Sequence, residues 1–187
     1  MALATVSGCG TGAEDADVAW KGSASPTAST GTAPTASAST APARPAKLTS
    51  ACKLLPAKTV NTVLGGTAAT RLSAHEEPVE KKSGRTRISC SYGRDGNEPF
   101  ALLVSMRPGQ ADEAEAQLDG IAANSGVKAT RLTVHDAGAV TYAKEGMRSI
   151  AVAVPYQDEL RLVIFAAPQV VPQSKLVDLA EHVVKQV

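Results

Sequence analysis

Large hydrophobic residues are distributed unevenly along this chain. Between Lys21 and Lys47 there is none, and the sequence reads KGSASPTASTGTAPTASASTAPARPAK. Such a segment buries too little apolar surface to offset the entropy lost on ordering. We therefore expect a disordered spacer, made partly stiff and extended by its prolines. The material for a hydrophobic core begins at Leu48 and continues to Val187.

Strands are predicted where apolar and polar residues alternate after this spacer. Residues 85–92, RTRISCSY, alternate as a half-buried strand does, and Asp95-Gly96 then predicts a hairpin turn into EPFALLVSM. Two further strands are predicted by VKATRLTV and AVTYAKE, with a turn at Asp136 to Gly138 between them. The most apolar segments are SIAVAVPY and LRLVIFAA, which is typical of central strands buried on both faces.

Helices are predicted by three segments with apolar residues at helical spacing. The first is CKLLPAKTVNTVLGG, with Pro56 in its first turn and Gly65 or Gly66 at its end. The second is QADEAEAQLDGIAANSG, and the third is the closing QSKLVDLAEHVVKQV. The charged segment LSAHEEPVEKKSG is predicted to be a loop. This order of elements favours an α+β domain, a mostly antiparallel sheet of about five strands with three helices packed on it.

Composition argues against nucleic-acid binding and against a membrane-spanning helix. The chain has 19 Lys and Arg against 18 Asp and Glu, and only 3% of its residues are aromatic. Nucleic-acid binding needs a basic surface or aromatic stacking platforms, so we expect no nucleic-acid partner. No segment approaches the roughly 18 to 20 consecutive apolar residues of a membrane-spanning helix. No motif for a metal, nucleotide or other cofactor is present, and we predict none.

The three cysteines suggest one pair and one residue set apart. Cys52 and Cys90 are 38 positions apart, and we expect a disulfide between them that joins the first helix to the first long strand. The chain-entropy model gives such a cross-link roughly 4 kcal/mol. The alternatives are two free thiols or a metal pair, although no histidine lies at zinc-ligand spacing.

Cys9 lies in the sequence Val6-Ser7-Gly8-Cys9, which resembles a bacterial lipobox. In lipoproteins with this motif the thiol carries diacylglycerol, and the leader is cut just before the cysteine. The resemblance implies a leader remnant at residues 1–8, a lipidated tether at 9–47 and a single extracytoplasmic domain at 48–187. Because the eight residues before Cys9 contain no basic group, we expect the true start to lie upstream of Met1. The alternative is a chain that has lost its export signal.

The domain also resembles a group of actinobacterial lipoproteins that carry an extracytoplasmic domain of unknown function. The resemblance rests on SACKLLPAKTVNTVLG, on ISCSYG and on the closing KLVDLAEHVVKQV. It implies a protein on the outer face of the cytoplasmic membrane, anchored through a lipid on Cys9.

Candidate catalytic residues are few. His75 lies in the predicted charged loop and lacks the second histidine of a zinc protease motif, and His135-Asp136 lies at a predicted turn. We therefore expect a non-catalytic module that binds an extracytoplasmic ligand or partner protein. The alternative hypothesis is an envelope hydrolase that uses His75 or His135 as a base, with Asp136 beside the latter.

Overall fold

The structure is a computed structural model, and it describes residues 47–187. The predictions for Cys9, for the leader remnant and for nearly all of the tether lie outside these residues. The strands are β1 Ser73–Glu76, β2 Glu80–Lys82, β3 Arg85–Arg94, β4 Asn97–Pro108, β5 Thr130–Val134, β6 Ala137–Lys144, β7 Met147–Tyr156 and β8 Glu159–Pro168. The helices are α1 Ala51–Leu54, α2 Ala57–Val63, α3 Ala114–Ser125 and α4 Gln173–Val184, with short 3₁₀ turns at Ala68–Thr70 and Ala111–Glu113.

The eight strands form one antiparallel sheet in the order β1-β3-β4-β8-β7-β6-β5. Strand β2 pairs with the same edge of β3 as β1 does, but nearer the start of β3. The predicted Asp95-Gly96 turn is confirmed, since both residues have positive φ angles, 55° and 81°, and connect β3 to β4. The prediction that the last two apolar segments form central strands is also confirmed, because β7 and β8 lie inside the sheet and bury side chains on both faces.

The strand count of about five was too low. The segment predicted to be a loop, residues 72–84, contains β1 and β2. Every residue of these two strands is exposed, so the segment carries no alternation of apolar and polar residues. A strand at a sheet edge is held mainly by its backbone hydrogen bonds, and those leave no trace in a hydrophobicity pattern.

The first predicted helix is two helices, which brings the helix count to four rather than three. Chain direction changes at Leu55-Pro56, between α1 and α2. Proline has no N–H to continue a helix, and its ring disfavours helical backbone in the preceding residue. Pro56 is instead the N-cap of α2.

The sheet has a main face and a second face. The main face packs against α1, α2 and α4 around a core that includes Ile88, Val152 and Phe165. The second face is covered in part by α3, whose Leu118 packs on Val140 and Ala151. The last helix was predicted from apolar residues at helical spacing, and those residues of α4 and its C-terminal end are all buried: Leu176, Leu179, Ala180, Val183 and Val187.

The predicted disulfide joins Cys52 of α1 to Cys90 of β3, with the two Cα atoms 5.1 Å apart. A second link lies nearby, where the buried Tyr92 hydroxyl donates a hydrogen bond to the Leu55 carbonyl at 2.7 Å. Together these contacts fix the start of the domain against the main face. Within residues 47–187, no helix is both long and apolar enough to cross a membrane.

Candidate ligand-binding site

A buried arginine lies on the central strand β8, at one end of the main face. Side chains alternate along a strand, so Arg161 lies on the same face as Val163 and Phe165. Its backbone partners are Met106 on β4 and Val154 on β7. The arginine is only 2% exposed. The positive charge of Arg161 therefore lies on the same face of the sheet as helices α1, α2 and α4.

Two neighbours hold the guanidinium of Arg161 in place. Its Nε donates to Oε1 of Glu159 at 2.8 Å, and both side chains of this ion pair are buried. Its Cζ lies 4.9 Å from the centre of the Tyr156 ring, which is within the range of a cation–π contact. Burial raises the pKa of the Tyr156 phenol, and the nearby positive charge of Arg161 opposes that rise.

One donor of this guanidinium remains unsatisfied. Nη1 of Arg161 is buried, and no acceptor among the described residues lies within hydrogen-bonding distance of it. A buried donor without a partner costs about 1 to 3 kcal/mol, and more when the group is charged. Such a group in a native structure calls for an explanation, and an acceptor supplied by a ligand is one.

Arg161 forms part of the wall of a cavity of about 510 Å³, which we call the cationic cavity. Its charged lining residues are Lys47, Lys81, Glu159 and Arg161, and the others are Leu48, Thr86, Met106 and Pro108. These described residues, three cations and one carboxylate, give the wall of the cationic cavity an excess of positive charge. Its volume lies within the range of small-molecule sites.

A second cavity of about 560 Å³ lies next to it, and we call this one the apolar cavity. It is lined mainly by the β5–β6 turn, the end of β7 and the end of α4, with His135 and Asp136 at the turn. The two cavities adjoin at the contact between Tyr156, which lines the apolar cavity, and Arg161. The apolar lining residues are Ala137, Val154, Pro155, Val184 and Val187.

The structure separates the candidate catalytic histidines. His75 is exposed on β1, at one edge of the sheet, whereas His135 follows β5, at the other edge. His135 and Asp136 do line a cavity, and among the described residues the hydroxyl that lines it with them is the phenol of Tyr156. The two histidines of the hydrolase hypothesis are therefore not brought together, and no serine, threonine or cysteine of the described residues lines the cavity with His135.

A basic surface lies on the second face, away from both cavities. Arg85 and Arg87 of β3 line a smaller hollow of about 200 Å³ there, together with Lys82 and Ser105. Burial, together with the charges of Arg85 and Arg87, lowers the pKa of the neighbouring Arg107, although Glu113 opposes this. Arg87 is paired with Glu80 at 3.0 Å, and both side chains are exposed. This hollow is smaller than either cavity, and its two β3 arginines are exposed.

Metal binding has no support in residues 47–187, where no group of three or more His, Cys, Asp or Glu residues is arranged to hold an ion. The sequence pointed to neither Arg161 nor Lys47 of the cationic cavity. One signal was available, since Glu159 and Arg161 stand two positions apart in an otherwise apolar strand. Two charges on one face of a buried strand indicate a buried ion pair.

Comparison with protein families gives one match, to a model described as a protein of unknown function (DUF3558), over residues 4–186. No curated protein matches the chain in sequence.

Three solved structures resemble the chain at low sequence identity. The extracellular domain of PknH from Mycobacterium tuberculosis is 13% identical, with a TM-score of 0.42, over 76% of this chain and 96% of that one. A protein from Bacteroides thetaiotaomicron VPI-5482 is 11% identical, with a TM-score of 0.36, over 58% of this chain. The match spans only 40% of the Bacteroides protein's length. A GTP binding regulator from Thermotoga maritima is 18% identical, with a TM-score of 0.32, over 68% of this chain and 84% of that one.

Proposed function

The chain belongs to the DUF3558 family, whose function is unknown, and we propose that it is a non-catalytic binding module on the outer face of the cytoplasmic membrane. In this proposal a lipid on Cys9 anchors the protein, residues 9–47 form the tether, and the sheet domain binds a ligand or a partner protein. The observation that carries the binding role is the pair of adjoining cavities at one end of the main face.

The chemistry of the cavities supports binding rather than catalysis. The apolar cavity offers five apolar side chains beside the polar groups of His135, Asp136, Tyr156, Lys185 and Gln186. The cationic cavity offers a buried arginine held by two neighbours. Sites that bind small molecules combine apolar walls with a few fixed polar groups, which is what these two cavities provide.

The disulfide supports an extracytoplasmic location. Cys52–Cys90 joins two elements of the main core, and Cys90 is buried. Stable structural disulfides persist in oxidising compartments and are rare in the bacterial cytoplasm. The anchor itself rests on the lipobox resemblance at Cys9. A single acyl chain binds membranes only marginally, whereas the two or three chains of a mature lipoprotein give stable attachment.

Anchoring is tested by cell fractionation of the protein expressed from its natural locus. Cys9→Ala removes the thiol that would carry the lipid, so we expect the protein to leave the membrane fraction for the medium. Ser7→Ala is the matched control, because a small residue remains at that lipobox position, and this variant should stay with the membrane. Retention of Cys9→Ala in the membrane fraction would overturn the proposed anchor.

Binding by the apolar cavity is tested with the dye 1-anilinonaphthalene-8-sulfonate, an apolar anion. We expect saturable fluorescence enhancement by the folded protein and weaker binding by Val154→Phe, which places a larger side chain in the apolar cavity. Val170→Phe is the control, because Val170 is 89% exposed and lies outside both cavities. Circular dichroism checks that each variant is folded. Equal binding by all three proteins would contradict a role for this cavity.

A further inference from the structure

We propose that the cationic cavity is a phosphate-binding site, with Arg161 as the main ligand and Lys47 and Lys81 as supporting cations. This takes the binding role proposed above as given and adds the chemical class of the ligand. A phosphate carried by a soluble molecule and a phosphate in a lipid headgroup share this chemistry, and the experiment below separates the two.

Charge is the first argument for phosphate. Among the described residues, the cationic cavity is lined by Lys47, Lys81 and Arg161 against the carboxylate of Glu159, which is an excess of two positive charges. A phosphate monoester carries about −1.5 to −2 at neutral pH, so its charge matches this excess. A simple carboxylate would neutralise only half of it.

Hydrogen-bond geometry is the second argument. The guanidinium of Arg161 presents its N–H donors in a planar fork, which suits the oxygens of phosphate. Nε is engaged by Glu159, whereas the buried Nη1 has no acceptor among the described residues. An oxygen of the ligand would supply that acceptor, and Thr86 adds a hydroxyl to the same lining.

The surroundings of Arg161 prepare it for an anion. Glu159 and the Tyr156 ring fix the guanidinium before any ligand arrives, so little side-chain entropy remains to be lost on binding. Leu48, Met106 and Pro108 form apolar parts of the wall. A charged hydrogen bond is stronger beside such walls than in open water.

Two sources of phosphate fit the position of the site. With the proposed anchor at Cys9, Lys47 lies 38 positions from the point of membrane attachment. The headgroups of that membrane are one source of phosphate for the domain, and a soluble phosphate ester is the other.

The test is calorimetric titration of the 187-residue protein, with its disulfide intact, using inorganic phosphate at constant ionic strength. We expect saturable binding that chloride does not reproduce. Arg161→Lys keeps one charge but loses the fork, and it should weaken binding by at least about tenfold. Lys81→Gln should weaken it by about two- to fivefold.

Lys81→Gln provides a second test in case Arg161→Lys disturbs the buried ion pair with Glu159. Lys81 is exposed on β2, so Lys81→Gln is expected to fold normally. The matched control is Arg85→Gln, which removes one exposed charge from the neighbouring strand β3 but lies on the second face. Its affinity should equal that of the unaltered protein.

The proposal is overturned if phosphate does not bind, or if Lys81→Gln and Arg85→Gln bind it equally well.

Vesicles then identify the source of the phosphate. Arg161-dependent binding to vesicles that contain phosphatidic acid, whose headgroup is a phosphate monoester, but not to phosphatidylglycerol vesicles of equal surface charge, supports a lipid headgroup. Binding of inorganic phosphate without vesicle binding supports a soluble phosphate ester. Because these measurements need no lipid on Cys9 and no dye, this proposal and the proposed anchoring can fail separately.

Discussion

The carboxylate of Glu76 accepts a hydrogen bond from the backbone N–H of Ala51, with Oε1 2.7 Å from the nitrogen. Its other oxygen accepts from the Cys52 N–H at 3.1 Å and from the Ser50 hydroxyl. An edge strand thus supplies the anion that caps the first turn of α1, one residue away from the disulfide. Helix α1 has no acidic residue of its own in that turn. The capping carboxylate favours the helix because the first N–H groups have no partner within it.

Glu76→Gln should therefore destabilise the domain. The substitution keeps the shape of the side chain but removes the charge that the helix N-terminus favours, and we expect a loss of about 1 kcal/mol in the free energy of unfolding. Urea denaturation measures the difference. Glu145→Gln is the control, because Glu145 is exposed at the turn between β6 and β7. If the two variants unfold at the same urea concentration, the cap contributes nothing.

Loss of the disulfide should cost more than loss of the cap. The Cys52–Cys90 bond closes a loop between residues 38 positions apart, and the chain-entropy model gives roughly 4 kcal/mol for a loop of that size. We expect the double variant Cys52→Ala/Cys90→Ala and the reduced protein to show similarly lowered stability in guanidinium denaturation. Mass spectrometry with and without reductant checks the bond itself. Two free thiols in protein purified from an oxidising compartment would contradict the structure.

Tyr92→Phe should remove the buried hydrogen bond to the Leu55 carbonyl. The Leu55 carbonyl oxygen, which lies 2.7 Å from the Tyr92 hydroxyl oxygen, would then receive no hydrogen bond from this side chain. We expect a loss of about 1 to 2 kcal/mol in the free energy of unfolding. Tyr142→Phe is the matched control, because Tyr142 is only half-buried and lies on the second face. Thermal unfolding compares the two, and equal midpoints would rule out a stabilising role for the Tyr92 hydroxyl.

Alkaline pH should destabilise the protein through the same side chain. Burial, and to a smaller extent the charge of Glu76, raises the pKa of Tyr92. A group whose pKa is higher in the folded state contributes stability that is complete below its unfolded pKa, about 10 for tyrosine, and is lost as the pH rises further. Stability should thus fall above pH 10, and Tyr92→Phe should fall less steeply than Tyr142→Phe. If the free energy of unfolding of these two variants falls equally steeply above about pH 10, Tyr92 is not the cause of the alkaline loss of stability.

The buried pair Glu159–Arg161 should show strong coupling. Glu159→Gln removes the negative charge that is paired with the buried Arg161. We expect a loss of about 3 kcal/mol in the free energy of unfolding. The double variant Glu159→Gln/Arg161→Met should recover part of that loss, since it removes the buried cation as well. A double-mutant cycle in urea measures the coupling. Strictly additive effects would mean that the pair does not act as a unit.

Much of the core could be predicted from the sequence, because burial leaves a periodic pattern. The inward residues of β3, including Ile88 and Cys90, follow a period of two, and the stripe of α4 follows the helical period. The edge strands β1 and β2 could not be predicted, since all their side chains are exposed. The division of the first predicted helix into α1 and α2 was missed, because the four residues of α1 are too few to establish a helical period of their own.

Most of the candidate site could not be predicted from the sequence. His135 and Asp136 were singled out from their residue types, and they do line a cavity, but the sequence could not show that His75 lies at the opposite edge of the sheet. Arg161 was read as part of an apolar strand. Its supporting cations, Lys47 and Lys81, are far from it in the chain and close to it only in the folded sheet.

The sequence by itself determined the α+β class and the inward faces of the long strands and of the last helix, because these depend on local periodicity that can be read along the chain. It favoured the Cys52–Cys90 disulfide but left two free thiols or a metal pair open, and the structure contains the disulfide. Tertiary structure alone decided the strand order, the cap that Glu76 provides for α1 and the cationic cavity around Arg161. Each of these depends on which distant segments become neighbours in the folded sheet, and local sequence carries no record of that choice.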